Sequence, residues 1–311
     1  MSRIIIADGG QQVDSAYHTL VKHIPSDLPI VMISWAENFV FNNELLGVKD
    51  YVLICYCEYG WDFSLTETHL WGINSEKFPR YYNNDWIKFD NWVKENPPRL
   101  TFKRELLKKD VTDKIKPIDY VAPNIEPIPI QSEEKFNSRP LSCCYYFGRS
   151  HEGRLLLHSN IWKGATQYGY SVCDNLFYYN DFMHNERGKK YVSMNIPHYS
   201  RQPIQTVLAI NGDAKIGVVP FGAGQKTFRA AEVSANSAML MWEDDLAWAS
   251  DWVHGVNCIK CKQGEEVETI EKWTQDERLY SIYCEGVKNW EKYRVGNYIN
   301  NYLLPARKLS V

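Results

Sequence analysis

The sequence contains no run of about 18 consecutive apolar residues, the length that a helix needs to cross a bilayer, so no membrane span is expected. Glycine and proline number only 18 and 14 in 311 residues, which excludes collagen-like and low-complexity chains. Cysteine is sparse as well. The eight cysteines are scattered apart from the adjacent Cys143 and Cys144, so they do not form a disulfide framework, and a reducing cytoplasm is expected. Cys258-Ile-Lys-Cys261 is the single CxxC; a zinc site needs further ligands at matching spacing, so two reduced thiols are expected there. No Asp-x-Asp pair is present, and no metal is expected. The N-terminal MSRIIIADGG has one positive charge and a short apolar run, which does not read as a signal peptide. Neither charge sign dominates: 35 basic and 38 acidic side chains leave a net charge of −3, too little to draw the whole molecule to a polyanion.

Aromatic residues are abundant, at 14%, with 20 Tyr and 11 Trp. The hydrophobic content of 44% suffices for a core, and the length suits one large domain or two ordinary ones. Arg3–Ala7, Pro29–Ser34 and Tyr51–Cys57 are short, nearly continuous apolar runs, the pattern of strands buried on both faces of a parallel sheet. A helical period lies between the first two, and Asn84–Glu95 reads as a helix stopped by Pro97-Pro98. Ile118–Val121 reads as the last strand of this half.

Five of the fourteen prolines fall between Pro117 and Pro140, where no helical period is visible, so an extended connection is predicted. A second α/β half follows. Leu141–Phe147 reads as a strand, Gly153–Trp162 as a helix, Tyr170–Cys173 as a short strand, Tyr199–Ile210 as a helix and Lys215–Val219 as a strand. The glycine-rich Pro220-Phe-Gly-Ala-Gly-Gln-Lys then leads into a helix from Thr227 to about Asn236, and Ala238–Met241 reads as a strand. In Asp276–Tyr293, Leu279, Ile282, Tyr283, Val287 and Trp290 share one helical face.

Three segments carry a resemblance: SRPLSCCYYFGRSHEGRLLL, KIGVVPFGAGQKTFRAAEVSANSAMLM and DERLYSIYCEGVKNWEKYRVGNYINNYL. They resemble the opening strand and arginine-bearing loop, the donor-binding core and the closing helices of GT-B glycosyltransferases of the viral and bacterial, nucleotide-sugar-dependent type. The resemblance implies an α/β fold of two Rossmann-like domains facing across a cleft, with the C-terminal helix crossing back to the first domain. The expected divisions are an acceptor-side domain over 1–122, a linker over 123–140, a donor-binding domain over 141–290 and a returning helix over 291–311.

The implied donor is a nucleotide-diphosphate sugar, most naturally UDP-linked, bound as substrate with no cofactor. Its pyrophosphate suits a glycine loop running into a helix, because backbone N–H groups can approach closely and the helix terminus is partly positive. Gly222, Gly224, Gln225, Lys226 and Thr227 stand at that junction, with Lys226 and Arg229 adding full charge. The family places a glutamate at the position of Glu232, where two carboxylate oxygens match a ribose diol; the plain alternative is a surface pair with Arg229. Many retaining relatives carry a second glutamate eight residues earlier, where this chain has Gly224, so retention and inversion both stay open. Arg149 and Arg154 would steady phosphate or leaving-group charge. Glu243, Asp244 and Asp245 would hold sugar hydroxyls or cap a helix starting near Leu246.

The first domain would supply the acceptor site and any base. Asp8, Glu37, Glu58 and Asp62 are candidate bases, with Asp8, Glu58 and Asp62 at or near strand ends, and Gly9, Gly10 and Trp61 beside them. His18, His23 and His69 are further titratable groups. Arg99–Lys116 holds seven basic residues against three acidic ones. On the acceptor side Lys103, Arg104 and their neighbours would track a nucleic-acid backbone, as in bacteriophage glycosyltransferases that decorate hydroxymethylated DNA bases, or form a solvated strand–turn. The expected partners are a nucleotide-sugar donor and a glycan or DNA acceptor, with the chain itself a monomer. An epimerase of the same fold and a non-catalytic nucleotide binder are the alternatives. A dinucleotide-binding dehydrogenase is disfavoured, because Gly222 and Gly224 lack the third glycine of that fingerprint.

Overall fold

The computed structural model describes residues 4–6, 29–33, 40–55, 84–104, 106–119, 125, 129–148, 152–169, 172–177, 204–220, 226 and 229–292. These form two separate parallel sheets of five strands each. In the first, β1 (Ile4–Ile6), β2 (Ile30–Ile33), β3 (Val52–Cys55), β4 (Leu100–Lys103) and β5 (Ile115–Pro117) lie side by side in sequence order. Their apolar runs are what such a sheet requires, and every residue of β3 and β4 is buried. Helix α1 (Asn84–Glu95) buries Trp86, Phe89, Trp92 and Val93 on one stripe against Ile5, Val31, Leu53 and Tyr51. Its end matches the sequence expectation: Asn96 closes the last turn onto the Trp92 carbonyl, and Pro97-Pro98 cannot continue it.

Two expectations in this half are corrected. Leu100–Lys103, read as part of a basic strand–turn, is a buried strand. The strand expected at Ile118–Val121 lies three residues earlier, at Ile115–Pro117, pairing with β4. Lysine and arginine at the end of β4 mask the apolar alternation that would have marked it.

The second sheet is built from β6 (Leu141–Gly148), β7 (Val172–Phe177), β8 (Ala214–Val219), β9 (Ala238–Trp242) and β10 (Ile259–Cys261), in the order β10-β9-β8-β6-β7. The chain leaves β6 to one side for β7 and returns on the other side as β8. The order therefore reverses between β6 and β8, and in open α/β sheets ligands bind outside the carboxyl ends of the strands at such a point. Helices α3 (Glu152–Tyr168) and α4 (Ile204–Asp213) make these crossovers. Short α5 (Arg229–Ser234) follows β8, and α6 (Glu266–Thr274) and α7 (Leu279–Lys292) close the unit. All five residues expected on the core face of α7 are buried there.

The proline-rich stretch is not wholly extended. Ser132 caps α2 (Glu133–Asn137), its hydroxyl accepting from Lys135 N–H, and Phe136 stacks on Tyr283 within the second core, 4.9 Å between ring centroids. Buried Arg139 lies over both rings and donates to the carbonyls of Ala214 and Asn236, so the end of the connection belongs to the second domain. The helix period was invisible because α2 is barely one turn long. Of the returning helix expected over 291–311, only 291 and 292 are described, as the end of α7; the rest lies outside the described residues.

Candidate functional site

The two sheets meet carboxyl edge to carboxyl edge. The chain beyond β4 runs antiparallel to the chain beyond β9: Ala247 N–H donates to the Leu106 carbonyl at 2.7 Å and Lys108 N–H to the Asp245 carbonyl at 2.8 Å. Leu107 and Leu246 sit between these bonds and are both buried. Lys108 Nζ adds a bond to the Asp244 carbonyl at 2.9 Å.

Beside this pairing stands Lys226, whose ammonium is fully enclosed. It lies 3.0 Å from Asp119 Oδ1 and donates to the carbonyls of Ile118 at 3.1 Å and Ala247 at 2.5 Å, with the Trp248 ring 5.3 Å away. Asp119, just past β5, also accepts from the amides of Ala249 (3.0 Å) and Ser250 (2.7 Å) and from the Ser250 hydroxyl. Asn289 of α7 donates to the Ser250 carbonyl. The sequence expectation gave the Lys226 charge to phosphate; in the structure its three N–H donors face protein oxygens that bridge the domains.

Arg229 and Glu232 open α5, which packs on β8. Both are buried and paired with each other through Arg229 Nη1 and Glu232 Oε2. The pairing foreseen as a surface contact is thus an enclosed one. Charges removed from water are costly unless paired, so an enclosed pair at a sheet's carboxyl edge is a chemically loaded feature. α5 can lie this close to β8 because Gly217 has no side chain: a Cβ there would stand 2.5 Å from Val233 Cγ1 and Ser237 Oγ.

The acids after β9 separate in role. Glu243 and Asp245 are exposed. Asp244 accepts from Leu246 N–H at 3.0 Å and from the Trp248 indole at 2.9 Å, shaping a turn and not a helix cap, since no helix begins at Leu246. Burial raises its carboxyl above the ordinary range, offset in part by Trp248. Lys103 and Arg104, expected on an acceptor-facing strip, are both buried, because β4 lies inside the sheet. Of that basic tract Lys108, Lys109 and Lys114 are exposed. Six cysteines are described and none is in a disulfide. Burial pushes Cys258 up to about 12 and Cys261 higher still, so both are thiols at neutral pH. Among the described residues no three His, Cys, Asp or Glu side chains are grouped to hold a metal.

Asp8, Gly9, Gly10, Glu37, Glu58, Trp61, Asp62, His18, His23, His69, Arg149, Gly222, Gly224, Gln225 and Thr227 lie outside the described residues. Arg154 is the third residue of α3. In the sequence Arg149 comes next after β6, and Gly222 and Gly224 lie between β8 and Lys226; β6 and β8 are the strands that flank the reversal of order.

Sequence reasoning missed Asp119, Trp248, Ser250 and Asn289. Asp119 was within reach: it occupies a carboxyl strand end, the same criterion that singled out Asp8, and only the misplaced strand over Ile118–Val121 hid it.

The sequence matches no family model and no curated protein sequence. The structure does match solved ones. It superimposes on TarM with a TM-score of 0.54 at 10% identity, covering 94% of this chain and 57% of TarM, so the chain spans little more than half of that protein. An alpha-glucosyltransferase solved in complex with UDP-glucose and DNA containing an abasic site gives a TM-score of 0.52 at 11% identity, over 100% of this chain and 91% of the other. Anabaena HepE in complex with UDP gives 0.51 at 10% identity, over 97% and 100%. Among the described residues no helix is long and apolar enough to cross a membrane. Two parallel α/β sheets joined at their carboxyl edges, matched along nearly the whole chain by these glycosyltransferases, give this protein the GT-B fold.

Proposed function

We propose that the chain transfers a sugar from a UDP-linked donor to a hydroxyl acceptor, with no resident metal. The observation that carries the reading is the enclosed Arg229–Glu232 pair at the start of α5, on the element that follows β8 at the strand order reversal. A donor pyrophosphate at the glycine-rich stretch would leave its ribose about one turn along, within reach of Glu232, and Arg229 would orient that carboxylate. UDP is preferred because structures of the same fold were solved with UDP-glucose and with UDP. The glycine loop supports the pyrophosphate by the general physics of backbone N–H groups and not by this fold alone.

Arg149 and Arg154 would neutralise the leaving diphosphate, and the base would come from the first domain, from Asp8, Glu58 or Asp62. Closure of the two carboxyl edges around the donor would exclude water and so favour transfer over hydrolysis. The acceptor proposed first is DNA carrying a hydroxymethylated base, since the DNA-bound glucosyltransferase is matched over nearly all of both chains. Lys109 and Lys114 are the exposed cations that would meet a phosphate backbone. A glycan acceptor is the other outcome of the test, and an epimerase is not favoured by the glycosyltransferase neighbours.

The test has two arms. UDP, ADP and GDP are titrated calorimetrically into the protein and into Glu232→Gln, which keeps an acceptor oxygen near Arg229 but loses the charge. UDP should bind best, and Glu232→Gln should weaken it by at least tenfold, about 1.4 kcal/mol. Release of UDP from UDP-glucose is then followed with hydroxymethylcytosine DNA, with plain DNA and with an oligosaccharide. Transfer to none of them, or UDP affinity untouched in Glu232→Gln, would remove the reading.

A further inference from the structure

Among the described residues the two domains are attached at two neighbouring places. The first is the backbone seam that leaves the end of β4, residues 106–108 against 245–247. The second is the carboxyl group of Asp119, two residues beyond β5. β4 and β5 are adjacent strands, and adjacent strands lie about 4.8 Å apart. Asp119 Oδ1 accepts from Ala249 N–H at 3.0 Å and Oδ2 from Ser250 N–H at 2.7 Å, and the Ser250 hydroxyl also donates to Oδ2. Lys226 Nζ lies 3.0 Å from Oδ1. Both sides of this contact are anchored. On the first domain, Ile118 is buried and donates its N–H to the Lys103 carbonyl at 3.1 Å. On the second, the buried Ser250 accepts at its carbonyl from Asn289 of α7, and Trp252 lies in the core shared with α5. A seam alone is a hinge about which two sheets turn; a second attachment one strand away fixes the angle between them. Four accepted bonds occupy both Asp119 oxygens, so this carboxyl is poorly suited to take a proton from an acceptor.

From this geometry we infer that Asp119 is a positioning residue for sugar transfer: it fixes the angle between the two carboxyl edges, and so the approach of acceptor to donor, without acting on donor binding. The inference rests on the function proposed above, with the donor on the second domain and the acceptor on the first. A donor held by one domain is indifferent to the angle between the two. Transfer is not, since reactants misplaced by about 1 Å lose about a hundredfold in rate. A cleft released from its angle also admits water, which favours hydrolysis of the donor over transfer.

The experiment compares the wild type with Asp119→Asn and with the pair Asp119→Cys/Ser250→Cys. The side chains of these two positions already touch, so a disulfide between them replaces the polar contact by a covalent one, closed by oxidation and opened by dithiothreitol. Each protein is melted, titrated calorimetrically with UDP, and followed for release of UDP from UDP-glucose with and without the acceptor that the wild type uses. In Asp119→Asn and in the opened cysteine pair, transfer should fall at least about tenfold while UDP affinity stays at the wild-type value and hydrolysis gains on transfer. Closing the disulfide should restore transfer. Should Asp119→Asn fail to fold, the cysteine pair carries the test by itself, opened against closed. UDP affinity lost in step with transfer would put the action of Asp119 on the donor site and overturn the inference. Wild-type transfer in folded Asp119→Asn would overturn it as well, and so would a closed disulfide that restores nothing. A wild type that transfers to no acceptor would instead remove the proposed function and this role with it, whereas failure of the inference alone leaves an active wild type.

Discussion

Glu232 and Arg229 show how burial changes what a substitution reports. An exposed pair three residues apart on a helix contributes only about 0.2–0.5 kcal/mol. Enclosed, the same pair leaves an uncompensated charge when one partner is cut, at a cost of about 3–5 kcal/mol. Glu232→Ala should therefore destabilise the protein strongly, whereas Arg229→Met/Glu232→Leu should recover most of the loss, because neither charge then remains. Urea unfolding of the three proteins checks this; a double variant as unstable as Glu232→Ala would show that the pair is not the cause. Asp244 makes a prediction in pH. Burial raises its carboxyl, so folding penalises its ionisation: the native state's advantage is complete below the ordinary value of about 3.9 and is lost as pH rises through the raised one. Asp244→Asn should thus gain on the wild type in melting temperature as pH goes from about 4 to 7. A difference independent of pH, or one of opposite slope, would contradict the assignment.

Among the elements, α5 depends on its contact with β8. Gly217 lies in β8 where Val233 and Ser237 arrive, and an added methyl group would overlap both. Gly217→Ala should cost about 1–3 kcal/mol, the usual range for overpacking, and should lower UDP affinity as well, because α5 carries Arg229 and Glu232. Melting curves together with UDP titration of the folded variant test both halves. The short α2 makes a different point about elements. One turn is too little to stand alone in water, and it exists because Ser132 caps it and Phe136 finds Tyr283.

At the scale of the molecule, each domain has its own hydrophobic core, and among the described residues the two are joined by the pairing of residues 106–108 with 245–247 and by the Asp119–Lys226 contact. Among the described residues, Leu107 and Leu246 are a buried apolar pair on that join. Leu246→Asp would place a charge in that seam and should separate the domains without unfolding either. Calorimetry should then resolve two melting transitions, and small-angle scattering should give a larger radius of gyration. A single transition shifted to lower temperature, with the radius unchanged, would mean that the domains are one cooperative unit.

What the sequence determined by itself is what local pattern encodes. Continuous apolar runs at Ile30–Ile33, Val52–Cys55 and Ala238–Trp242 are satisfied by buried parallel strands, and the three-and-four spacing of Leu279 to Trp290 by a helix on a core. The glycine-rich stretch and Glu232 stand out in the sequence because the proposed chemical task calls for those residue types in that order. Tertiary structure alone decided which charges are inside. Lys103 and Arg104 look like surface cations in any window of sequence, and become buried because β4 is flanked by β3 and β5. Lys226 looks like a phosphate ligand, and is drawn to Asp119, 107 positions away, because the carboxyl edges of two independent sheets meet there. Burial and long-range pairing are properties of the packed molecule, and no local spacing records them.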